Sequence, residues 1–106
     1  MLTIDRIKEA AETLKGVALH TELIHSPVFS EESGNQVYLK PENLQLTGAF
    51  KLRGAYFKIS TLSDEEKTRG LISSSAGNHA QGVAYAAKKL GVSATIVMPK
   101  NTPLIR

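Results

Sequence analysis

Apolar residues recur at helical spacing in three stretches of the chain. Leu2, Ile7, Ala10, Ala11 and Leu14 trace one stripe, which predicts a helix over about residues 3–15. Thr3 suits its N-cap, Asp5 its positive first turn, and Gly16 its stop. Leu52, Ala55, Tyr56 and Ile59 predict a second helix over 51–61. Ala80, Val83, Ala84, Ala87 and Leu90 predict a third over 78–90, with Lys88 and Lys89 at its negative end and Gly91 beyond it. Between the last two, Ser63-Asp64-Glu65-Glu66 has the spacing of a capping box and opens a short helix closed by Gly70.

The extended runs are brief. Gln36–Lys40 reads as a strand ended by Pro41, Leu71–Ser75 as a second, and Ala94–Met98 as a third. Residues 17–35 show no period and are expected to be irregular, with Ser33-Gly34-Asn35 as a turn; residues 41–50 are expected to form a loop. Strand 71–75, helix 78–90 and strand 94–98 make a right-handed βαβ unit, so the fold class is α/β. Two parallel strands cannot cover both faces of a sheet. Thr102-Pro103 also reads as N-cap and first residue of a helix that has barely begun. The expectation is therefore the front part of a larger protein.

Composition narrows the function classes. With 106 residues the chain is at most one small domain, and 42% hydrophobic with 22% charged residues excludes a disordered tail or a fibre. The longest run of bulky apolar residues, Ile96-Val97-Met98, is far short of a membrane span. The absence of cysteine excludes disulfides and thiol catalysis, and no secretory h-region follows Met1; a cytoplasmic protein is expected. All ten acids lie at or before Glu66, leaving a basic C-terminal half. Its bases are scattered and accompanied by one aromatic, Tyr85, so a nucleic-acid surface is not expected.

Two helix starts can carry chemistry. In Thr47-Gly48-Ala49-Phe50-Lys51, an amine falls in the first turn of a helix, where a cation is disfavoured. Partial desolvation by Phe50 would favour the nucleophilic form, which suits a Schiff-base lysine; an exposed lysine on an amphipathic helix fits the segment as well. In Ser73-Ser74-Ser75-Ala76-Gly77-Asn78-His79, a strand end turns directly into a helix, and its free N–H groups with serine and asparagine side chains can receive an anion. A plain βα turn with serine caps is the alternative. His20, His25 and His79 have no metal-ligand spacing, and no dinucleotide, P-loop or Gly-x-Ser-x-Gly motif is present.

Taken together, these blocks resemble fold-type II pyridoxal-phosphate enzymes, the tryptophan synthase β-like fold, and among them threonine dehydratases (threonine ammonia-lyases). The likeness spans essentially the whole chain. It is carried by the N-terminal helix, Tyr38-Leu39-Lys40-Pro41-Glu42-Asn43-Leu44-Gln45, Phe50-Lys51-Leu52-Arg53-Gly54-Ala55 and Ser75-Ala76-Gly77-Asn78-His79-Ala80-Gln81-Gly82. The resemblance implies that Lys51 holds pyridoxal 5′-phosphate as a Schiff base, that Phe50 packs beside it, and that Asn78 hydrogen-bonds the ring's 3′-oxygen. It further implies that Ser75, Ala76, Gly77, Asn78 and His79 surround the carboxylate of a threonine or serine substrate, which is converted to a 2-oxo acid and ammonia. Serine racemases tend to have serine where this chain has Ala76, which favours dehydration; cysteine synthases differ at both Ala76 and His79.

The same resemblance implies a homo-oligomeric parent. Residues 1–45 would belong with the larger domain, and 46–106 would start the smaller parallel-sheet domain. The family's glycine-rich phosphate cup has no counterpart, because the eight glycines are isolated along the chain. The 106 residues alone are therefore expected to be inactive. A non-catalytic anion-binding module and a pseudo-subunit that only oligomerises are the competing readings.

Overall fold

A computed structural model describes residues 1–103. Helix α1 (Ile4–Thr13) starts as its sequence requires: the Thr3 hydroxyl accepts from the Arg6 N–H at 3.3 Å. It ends earlier than expected, with Leu14 as C-cap. Gly16 (φ +73°) instead serves a further turn, in which Val17 N and Ala18 N both bond the Leu14 carbonyl.

The stretch expected to be irregular is not. It contains strand β1 (Ile24–His25) and helix α2 (Pro27–Ser33), capped by the Ser26 hydroxyl and stopped by left-handed Gly34. Ser26-Pro27 is an N-cap followed by a proline at the first helical position, a start signal that no apolar stripe follows. Strand β2 (Tyr38–Leu39) is shorter than the expected 36–40 because its partner is only two residues long; Ile24 pairs with Leu39 and His25 with Tyr38, antiparallel. A single 3-10 turn, Glu42–Leu44, follows.

The C-terminal part matches the expected order. It comprises α3 (Lys51–Ser60), α4 (Asp64–Arg69) with its reciprocal Ser63–Glu66 capping box, β3 (Leu71–Ser74), α5 (Asn78–Leu90) and β4 (Ala94–Val97). Strands β3 and β4 are parallel, in register from Leu71 opposite Ala94 to Ser74 opposite Val97. The bond from Ser75 N to the Val97 carbonyl is the last across the pair, and it releases the chain into the turn before α5.

The core lies between α3, α5 and one face of this strand pair. Leu52, Ala55, Ile59, Val83, Ala86 and Val92 form it, with Leu71 and Ile96 packed from the strands. Burying Leu52 completely contributes roughly 1.5–3 kcal/mol. The inward stripe of α5 keeps Ala80, Val83 and Ala87 of the expected one, but Ala84 is exposed, Leu90 is half-buried, and Gly82 and Ala86 are buried instead. The opposite sheet face is bare, with Ile72 at 83% exposure. Helix α1 fully buries none of its residues, so its apolar stripe also lies largely open, apart from half-buried Ala10 and buried Leu14 beyond its end. Among the described residues no helix is long and apolar enough to cross a membrane. The helix expected to follow Thr102-Pro103 lies outside the described residues.

Candidate active site

Lys51 is the first residue of α3. The loop leading to it is turned by Gly48 (φ +68°), whose N–H bonds the Gln45 carbonyl at 2.7 Å, and is pinned by the buried Ala49. A side chain at Gly48 would strain this turn, which accounts for glycine there. The Lys51 Nζ lies 5.1 Å from the centroid of the Phe50 ring. Both side chains are exposed, Phe50 at 59%. The expected partial desolvation of Lys51 by Phe50 is not seen: the amine lies over the ring as an open cation–π pair with both side chains exposed.

The second helix start is built by Ser75. Its Oγ accepts from Gly77 N at 3.2 Å and from Ala80 N at 3.3 Å, capping α5 in place of Gly77, which has no side chain to do so. Accepting these bonds leaves the hydroxyl proton free to donate. No acidic residue occupies the first turn of α5, so the positive end of the helix is not neutralised from within. Ala76 and Gly77 are half-buried, and Asn78 and His79 are exposed at the tip.

Gly82 brings the two helix starts together. A β-carbon on it would lie 2.9 Å from the Lys51 carbonyl carbon and 3.0 Å from the Leu52 nitrogen. Helices α3 and α5 therefore cross at backbone contact, and the start of α3 rests one turn along α5 from Asn78. His79 has a different setting: it lines a cavity of about 250 Å³ with Gly54, Lys58, Ile72, Ser73 and Val83, to which Lys51 and Asn78 do not contribute.

One group at this site was not anticipated from the sequence. The Arg53 guanidinium grips the Glu42 carboxylate with two hydrogen bonds, Nε to Oε2 at 2.9 Å and Nη2 to Oε1 at 2.7 Å. The Thr21 hydroxyl donates to the same carboxylate, and Arg53 Nη2 also reaches the Leu19 carbonyl at 3.2 Å. Gln45, 4% exposed, clamps Leu19 by both its N–H (2.8 Å) and its carbonyl (3.0 Å). The Arg53 hydrogen bonds hold the Glu42 carboxyl down at about 2, against the opposing effect of burial and with help from Thr21. Both residues stood within the quoted motifs, but nothing local in the sequence pairs positions 42 and 53.

This arrangement has counterparts. The family described as pyridoxal-phosphate dependent enzyme matches residues 15–106. The chain belongs to that family. The L-threonine ammonia-lyase of Thermotoga maritima is 59% identical over 104 residues, covering 98% of this chain and 26% of that protein. The Lactococcus lactis biosynthetic L-threonine dehydratase IlvA is 50% identical over 97% of this chain and 25% of its own length. Among solved structures, serine racemase from Dictyostelium discoideum superposes with a TM-score of 0.89 at 36% identity, covering 98% of this chain and 34% of that one. The chain thus spans about a quarter to a third of the length of these relatives, and it has part of the fold-type II architecture.

The residues present fit one end of pyridoxal phosphate. Lys51 is a primary amine at a helix start where Gly82 allows α5 to come up against it, and the Asn78 amide stands at the first position of α5. The phosphate end has no cluster of glycine amides among the described residues, where the glycines stand apart.

Proposed function

We propose that these residues are the N-terminal portion of a pyridoxal-phosphate-dependent threonine dehydratase, which converts L-threonine or L-serine to a 2-oxo acid and ammonia. The observation that carries this reading is the backbone contact between Gly82 and Lys51 in a chain 59% identical to a threonine ammonia-lyase. Lys51 is the residue that holds the cofactor, flanked by Phe50, with Asn78 toward the ring's oxygen. Bound there, pyridoxal phosphate supplies an electrophilic carbon and an electron-accepting ring.

The remaining roles belong to the protein. The N-terminus of α5 and the Ser75 hydroxyl receive the substrate carboxylate, with Ala76, Gly77 and Asn78 forming the floor and His79 at the rim. The Lys51 Nζ takes the substrate α-proton once it is free to do so. Ala76 offers no hydroxyl to act as an acid or base, which favours dehydration over racemisation despite the structural likeness to serine racemase.

Residues 1–45 belong with the larger part of the parent, and 46–106 start the smaller sheet domain. This is supported by the largely open stripe of α1 and by a main core cluster that runs from Leu52 to Val92. Homo-oligomeric assembly in the cytoplasm comes with the same reading. The 106 residues alone are inactive, because they lack a phosphate cup.

A chimera tests this reading: the chain is joined to the portion of the Thermotoga maritima enzyme that follows the matching segment. With pyridoxal phosphate it should deaminate threonine, and borohydride reduction followed by peptide mapping should place the label on Lys51. Label on another lysine, or turnover by the unjoined chain, would overturn the proposal.

A further inference from the structure

Helix α3 begins without a cap of its own. Phe50 sits at its N-cap position in a helical conformation with no side-chain hydrogen bond, so no side chain caps the helix start. Besides the buried Ala49 and Leu52, two contacts from outside the helix hold it. On one side is Gly82, against the Lys51 carbonyl. On the other, Arg53, two residues past Lys51, is tied to Glu42 by its two-pronged bond and to the Leu19 carbonyl. Glu42 is anchored in turn by Thr21, and Gln45 holds Leu19 and the Leu46 N–H. The Glu42–Arg53 pair closes the loop that carries Lys51, and its side chains are only 14% and 30% exposed.

We infer that the Glu42–Arg53 pair is a positioning device for Lys51, holding the 45–51 loop so that the amine arrives at the start of α5 in one orientation. The inference rests on the reading of Lys51 as the cofactor lysine. A bidentate guanidinium–carboxylate pair fixes direction as well as distance, which a lysine in its place cannot do. Small displacements of a reacting group have large kinetic effects, so the pair acts on catalysis without touching substrate. Glu42 and Arg53 are thus positioning residues, not catalytic ones.

The test uses Glu42→Gln and Arg53→Lys, the latter keeping the charge if the former fails to fold. In the full chain, amide hydrogen exchange over 46–52 should rise about tenfold or more, while α5 beyond Val83 keeps its protection. In the chimera, kcat should fall about tenfold or more with KM for threonine within about threefold, and borohydride labelling of Lys51 should fall in parallel. Of the two, Arg53→Lys should show the smaller rise in exchange and a comparable fall in kcat.

Unchanged exchange and labelling in both variants would overturn the inference while leaving Lys51 as the cofactor lysine. Absence of Lys51 label in the unaltered chimera would overturn the cofactor reading, and with it the inference, whatever the exchange shows.

Discussion

Gly82 lies so close to Lys51 that a β-carbon added to it would stand 2.9 Å from the lysine's carbonyl carbon and 3.1 Å from its oxygen. The obstacle is backbone, which cannot swing aside as a side chain can. Gly82→Ala should gain roughly 1 kcal/mol of helix propensity and lose about 1–3 kcal/mol to overpacking. The net expectation is a loss of about 1 kcal/mol, read as a lower denaturation midpoint, with α3 displaced from α5. A more stable variant would show that the helices do not meet at this point.

Acid should weaken the fold through Glu42. Its carboxyl is held at about 2 in the folded chain against an ordinary 4.5, chiefly by the Arg53 hydrogen bonds. A lowered folded-state value means that the stabilisation is fully present above about pH 4.5 and is lost as pH falls toward 2. The displacement is worth on the order of 3 kcal/mol. Glu66, lowered by the Ser63 N–H and hydroxyl, acts in the same direction. The difference between the unaltered chain and Glu42→Gln isolates Glu42: urea midpoints of the two should converge as pH drops through this window. Parallel curves would mean that the pair is open in solution.

The contrast between Leu52 and Ile72 tests where the core lies. Leu52 is fully buried between α3 and α5, and Leu52→Ala should cost about 2–5 kcal/mol, enough to abolish cooperative unfolding in a chain this small. Ile72 stands on the bare sheet face, so Ile72→Ala should change stability by no more than about 0.5 kcal/mol. A comparable loss at Ile72 would show that something covers that face in solution.

Much of this was legible because the signals are local. The stripes of α3 and α5, the Ser63 box and the βα turn after Ser74 are each contained in a few neighbouring residues. Helix α2 was missed because Ser26-Pro27 marks a start but Pro27–Ser33 offers no buried face to confirm it. Strand β1 was missed and β2 drawn too long because two-residue strands show no alternation. The start of α3 was read as a place for chemistry, but what holds it was invisible: Glu42–Arg53, Gln45–Leu19 and Gly82–Lys51 join positions that only the folded chain makes neighbours. The shielding of Lys51 by Phe50 failed for a related reason, since adjacency in sequence does not determine which side of a ring faces water.

Ser75 should separate binding from folding. Its Oγ caps α5 by accepting from Gly77 N and Ala80 N, so Ser75→Ala should cost about 1 kcal/mol and lower the melting temperature by about 4–8 °C. If the hydroxyl proton also serves the substrate carboxylate, the same change in the chimera should raise KM for threonine severalfold and alter kcat less. Ser75→Thr keeps both the acceptor and the proton, and should restore stability and KM together. A variant that loses stability but keeps its KM would leave Ser75 as a helix cap alone, and the carboxylate would then have to be held by the backbone N–H groups at the start of α5.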